Sequence, residues 1–238
     1  MKGKNQFITI AGGHFSWVIS DLASQMIRCK RPPEASDRPG SHEVDFSIVI
    51  CLLLVLMFES YLARVRHFDK TSTAESKRYP SKYFSTLKGC KRLSKRVEEI
   101  MLLRNSIAHN HVFEYEQLWN WEKIPTKYRN FQIDTSWQVE SNKAVYSKHV
   151  ALKKFTEPRT KILKLRVAPT FIGREEVLTV LETIHAALTA LHKYKYLDIS
   201  LEHKHVPFKK EGNSTKSMVV FWDLEQEIRE SINLLHKR

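Results

Sequence analysis

A mainly α-helical fold, a helical bundle carrying a small β-containing insertion, is the class the sequence predicts. Two observations predict it. Apolar residues recur at helical spacing in successive long stretches, and β-favouring runs are short and gathered in one middle segment and one site near the C-terminus. The 238 residues, 42% of them hydrophobic, suffice for one large domain over 1–238. Within it, 120–168 reads as an insertion with a short hairpin, and 205–238 as a C-terminal strand and helix extension.

Phe15, Val18, Ile19, Leu22 and Met26 mark a first amphipathic helix, and Pro32, Pro33, Pro39 and Gly40 mark the loop that follows. A long helix then opens with Ser41 as N-cap and with Glu43 and Asp45 at the positive end of its dipole, and closes near Asp69. From Phe46 to Phe58 it is apolar almost all round, but Asp45 and Glu59 bracket a run shorter than the roughly 20 residues a bilayer requires. That pattern predicts a helix buried at the centre of a bundle or in a dimer interface. A polar stretch through Pro80 leads to a helix whose Leu93, Val97, Ile100, Ile107 and Ala108 share one face. Phe131–Ile133, Ser136–Val139 and Ile162–Val167 supply the β-favouring runs of the insertion. Helix returns with Gly173 as N-cap, Glu175 and Glu176 in the first turn, and the stripe Val177, Leu181, Ile184, Leu188 and Leu191. A short strand over Met218–Phe221 and a last helix complete the chain.

A formal net charge of +13, spread along the whole length, favours a polyanionic partner, with nucleic acid ahead of an acidic membrane surface. Cys29, Cys51 and Cys90 are odd in number and widely separated, which predicts neither a disulfide framework nor a zinc knuckle and fits a reducing cytoplasm. The basic start is followed by apolar residues broken by Gly12, Gly13 and His14, so no signal peptide is expected.

The chemistry-bearing stretch is Leu103–His111. Arg104 projects from the apolar face, where a charge needs a carboxylate, a partner chain or a phosphate. Asn105 and His109, four residues apart, share the flank beside it. Metal-free RNA cleavage needs a base for the 2′-hydroxyl, an acid for the leaving 5′-oxygen and a cation near the phosphate oxygens. His109 titrates near neutrality, and Arg104 stays charged. One histidine cannot readily serve both sides of an in-line displacement, so two copies facing each other would complete the site.

The motif Arg104-Asn105-x-x-x-His109, the leucine-rich lead-in before it, the earlier long helix with Phe58-Glu59-Ser60-Tyr61-Leu62 and the later helix from Gly173 to Tyr196 together resemble the HEPN superfamily. The resemblance covers about Ser41 to Tyr196, and the insertion is its main departure. It implies a homodimeric endoribonuclease with a composite Arg/His site, a cyclic-phosphate product and no metal or cofactor, in the manner of a toxin or antiviral effector held by an inhibitory partner protein. Asn105 would orient the imidazole or bind phosphate, and Glu59 would hold Arg104 in place. His111, Lys123, Lys127 and Arg129 are candidate RNA contacts, the last three interleaved with Trp119, Trp121, Tyr128 and Trp137 as a surface for unstacked bases. No membrane partner is expected.

Each residue also has a plainer reading. Arg104 pairs with a carboxylate such as Glu59, Asn105 and His109 end a helix, and the tryptophans anchor the insertion. A non-catalytic RNA-binding or protein-docking module is then the alternative.

Overall fold

The computed structural model describes residues 14–31, 38–69, 79–108, 113–120, 123–133, 148–153, 156–195, 205–210 and 215–236. The helices are α1 (Phe15–Arg28), α2 (Ser41–Phe68), α3 (Pro80–Thr86), α4 (Lys91–Ala108), α5 (Arg174–Lys195) and α6 (Leu224–His236). Among the described residues three antiparallel ribbons join them: β1 (Phe113–Asn120) with β2 (Lys123–Ile133), β3 (Val150–Lys153) with β4 (Thr156–Thr160), and β5 (His205–Phe208) with β6 (Ser217–Val220). The fold is mainly helical, as its apolar periodicity predicts.

Helix α2 is the hub, with α1, α4 and α5 packed around it. Ile50, Leu54, Met57, Phe58 and Leu62 recur on one face and are fully buried, each worth about 1.5–3 kcal/mol relative to exposure. The opposite face is also apolar. Val49 and Leu56 are exposed and Leu52 half-buried, at i, i+3 and i+7 on one stripe. Although the run between Asp45 and Glu59 is short, the helix is 28 residues long, and by length and composition it could cross a membrane; half of its most apolar window is buried inside the fold. Gly40 occupies the N-cap position that the sequence suggests for Ser41, and no side chain caps this end.

Helix α1 turns Ile19 and Met26 fully inward with Phe15 and Leu22 packed against the core, as its apolar spacing predicts, but its buried face is shifted away from Val18 toward a row of serines. Ser16, Ser20 and Ser24 are buried beside Ile19, Ala23 and Met26, while Trp17 and Val18 are exposed. Small side chains let the β5 end come close: Ser20 donates to the Pro207 carbonyl at 2.6 Å, and the Lys209 amide donates to Ser24 Oγ at 3.1 Å. The C-terminal segment is therefore part of the main core, to which Val206, Phe208, Phe221, Leu224 and Ile228 contribute. Strand β5 is not evident in the sequence because it is four residues long and contains Pro207.

The β-rich segment begins at Phe113 rather than near Asn120. At its far end, the loop after β4 is tied down from α4. Glu99, fully buried, accepts the Ile162 and Leu163 amides at 2.9 and 2.7 Å. Glu99→Ala removes both hydrogen bonds to this partly exposed loop and should cost about 1–3 kcal/mol, measured as a lower denaturant midpoint with unchanged slope.

Candidate functional site around Arg104

The last turns of α4 rise out of the core. Ile100 and Leu103 are fully buried, Arg104, Asn105 and Ile107 half-buried, and Ala108 exposed. Arg104 thus sits at the rim of the apolar face and reaches across to α2, where its Nη2 donates to Glu59 Oε1 at 2.5 Å. The two side chains are 24% and 26% exposed, enough access for a ligand to compete for the guanidinium. Arg104 Nε is buried and makes no hydrogen bond among the described residues. Glu59 continues the outward stripe of α2 one turn beyond Leu56, so the ion pair ends an exposed apolar strip.

Among the residues singled out from the sequence, Arg104 and Glu59 are in contact, and Asn105 lies next to them on the adjoining flank of α4. His109 and His111 lie outside the described residues. Lys123, Lys127 and Arg129 all belong to β2, where Lys123 pairs with Asn120, Lys127 with Leu118 and Arg129 with Glu116.

A second charged constellation is not legible in the sequence. Glu43, in the first turn of α2, is fully buried between two arginines. Arg31 donates to it twice, at 2.9 and 2.5 Å, and Arg174 donates through Nε, Nη2 and its own amide at 3.0–3.1 Å. Arg31 also makes two 2.7 Å bonds to Glu175, and Arg174 Nη2 reaches the Cys29 carbonyl at 2.8 Å beyond the C-terminus of α1. Burial alone would raise the Glu43 carboxyl, but the hydrogen bonds and charges of Arg31 and Arg174 outweigh it and hold the group below the usual glutamate range. Burial likewise opposes the Arg31 charge, and Glu43 and Glu175 more than compensate. Nearby, Arg166 lies 3.3 Å from Glu176; there burial wins, and the Glu176 carboxyl is pushed up. Gly173 lets the backbone approach this junction closely: a Cβ there would stand 3.0 Å from Glu175 Oε2 and 3.1 Å from Glu43 Oε1, so these side chains would have to shift slightly. With its members paired to one another, this cluster clasps α1, α2 and α5 together. Its one sequence signal, acids in the first turns of α2 and α5, also fits simple dipole compensation.

A groove of about 490 Å³ lies along α5, lined by Cys90, Glu182, His185, Thr189, Lys193 and Glu225. His185 stacks on Trp222 at 4.6 Å, and its Nδ1 lies 2.8 Å from Glu225 Oε1, so it is a packed and paired histidine. Burial raises the Cys90 thiol against the influence of Lys193, which disfavours a reactive thiolate. Among the described residues no group of three or more His, Cys, Asp or Glu side chains is placed to hold a metal ion. No family model, curated protein or solved structure matches this chain.

Proposed function

We propose that the chain is a HEPN-type, metal-independent endoribonuclease that works as a homodimer. The observation that carries this reading is the partly exposed guanidinium of Arg104, oriented by Glu59 at the end of an outward apolar strip of α2. In this reading Arg104 neutralises the phosphate that gains charge during displacement, and His109 moves the proton to or from the 2′-hydroxyl or leaving oxygen. Asn105 orients the imidazole or binds phosphate. The strip of Val49, Leu52 and Leu56 meets its counterpart in the second copy, which brings two Arg104–His109 pairs to one cleft and supplies a base and an acid on opposite sides of the phosphate. The products are a 2′,3′-cyclic phosphate and a 5′-hydroxyl end. The working environment is a reducing cytoplasm, and a toxin or defence role with an inhibitory partner protein fits an enzyme of this chemistry.

The test is cleavage of single-stranded RNA or tRNA by purified protein in EDTA. The expected result is cyclic-phosphate ends from the wild type and no cleavage by His109→Ala. Unchanged cleavage by that variant overturns the mechanism. A second reading, a non-catalytic RNA-binding or docking module, is favoured by the 2.5 Å Arg104–Glu59 contact, which satisfies both charges within the fold. Binding of RNA without cleavage by the same preparation would select it.

A further inference from the structure

Far from Arg104, at the opposite end of α4, the chain gathers cations in an arrangement that disfavours its own helix. Lys88, Lys91, Arg92 and Lys95 are all exposed, and no ion-pair partner is found for any of them among the described residues. Lys88 stands on the tight turn between α3 and α4, where Gly89 takes a φ of 78°. Lys91 and Arg92 open α4, whose first turn holds no acidic residue. Cations there face the positive end of the helix dipole, at a cost of about 0.3–1 kcal/mol each, and Lys91 and Lys95 repel as an i, i+4 pair. By contrast α2, α5 and α6 each place glutamate in the first turn.

Neighbouring elements enlarge the positive surface. Ser94 Oγ donates to the Ser81 carbonyl at 2.7 Å, which brings the exposed Lys82 of α3 alongside. Lys193 near the end of α5 lines the same groove as Cys90. The two glutamates of α4 do not offset this charge: Glu98 lies beside Lys148 and His149, and Glu99 is buried on backbone amides.

We propose that this exposed basic surface, formed by Lys88, Lys91, Arg92 and Lys95 with Lys82 and Lys193 at its edge, is where the phosphate backbone of single-stranded RNA docks. RNA as the ligand rests on the ribonuclease reading above; the position of the surface does not. An extended phosphate chain supplies what the helix end lacks, several negative charges in a row. From Arg92 to Arg104 the helix rises by roughly 18 Å, so a strand of several nucleotides held here reaches the cleaving end of α4.

The test is binding of a 2′-O-methyl RNA oligonucleotide, which cannot be cleaved through its 2′-oxygen, across a salt series with the full chain. For the variant Lys91→Glu, Arg92→Glu, Lys95→Glu, affinity should fall about tenfold or more, and the log–log salt slope should shrink by about 2, the loss of three single-strand phosphate contacts. The same variant should melt no lower than the wild type, because acids suit a helix N-terminus. A control reversing Lys30, Lys148 and Lys161 changes net charge equally and should bind nearly as well as the wild type. Equal weakening by both variants, or an unchanged slope in the first, overturns the proposal. So does charge-dependent binding to anionic phosphatidylserine vesicles without RNA binding. If the wild type binds RNA through this surface but never cleaves it, the ribonuclease reading fails and the docking surface stands.

Discussion

Glu43→Ala is expected to destabilise the protein by about 3–5 kcal/mol. The reason is the two charges it strands: Arg31 and Arg174 are both buried and together direct five hydrogen bonds at that carboxylate. Glu175 still holds Arg31, but Arg174 keeps only main-chain acceptors near the end of α1. Glu43→Gln retains the shape and loses the charge, so it should fall between the wild type and the alanine variant. The pH dependence has a definite sign. Because the folded Glu43 carboxyl titrates below the ordinary value, its contribution is full above the normal glutamate range and is lost as pH falls through the folded value. Glu176 acts oppositely: its raised value means that its share of stability improves as pH falls from the raised value toward the ordinary one. Acid unfolding of the wild type should therefore steepen below the ordinary glutamate range, and Glu43→Gln should lose that component. Chemical denaturation over a pH series measures both. A Glu43→Ala protein as stable as the wild type would show that the clasp does not hold the three helices.

Arg104→Ala should reduce RNA cleavage by about 100- to 1,000-fold while changing stability by no more than about 1 kcal/mol. The small stability effect follows from the roughly one-quarter exposure of both partners in the Arg104–Glu59 pair. In the proposed ribonuclease mechanism the large activity effect follows from removing the cation that would face the phosphate as charge develops. Arg104→Lys keeps the charge but loses the planar fork, and should recover only part of the rate. Glu59→Gln leaves the guanidinium in place with a weaker anchor, so it should slow turnover less than Arg104→Ala. If the pair is only structural, all three variants lose stability and cleavage is either absent from the start or unaffected. Single-turnover cleavage beside thermal melts separates the outcomes.

Much of the helical frame is legible in the chain, because each long helix announces itself locally. The apolar repeats of α2, α4 and α5 and the Gly173-Arg174-Glu175-Glu176 start of α5 need only the 3.6-residue period and the dipole to be read. Reading fails where the period is misleading or missing. In α1 the bulky residues suggest an inward face that includes Val18, yet the serines face inward because a close neighbour needs small side chains. The short α3, the early start of β1 at Phe113 and the four-residue β5 carry too few residues for a periodic signal.

For the candidate site, the residue types are readable from the chain alone: a guanidinium and an amide near the end of one helix, a histidine after them, and a glutamate on the long helix before. That Glu59 and Arg104 meet, that α2 leaves an apolar strip exposed beside them, and that Glu43 joins Arg31 and Arg174 all emerge from the packed fold. Those contacts depend on how helices cross, and helix crossing is set by packing between residues far apart in the chain. Local patterns specify each helix's faces; burial of the whole core decides which charges are brought together.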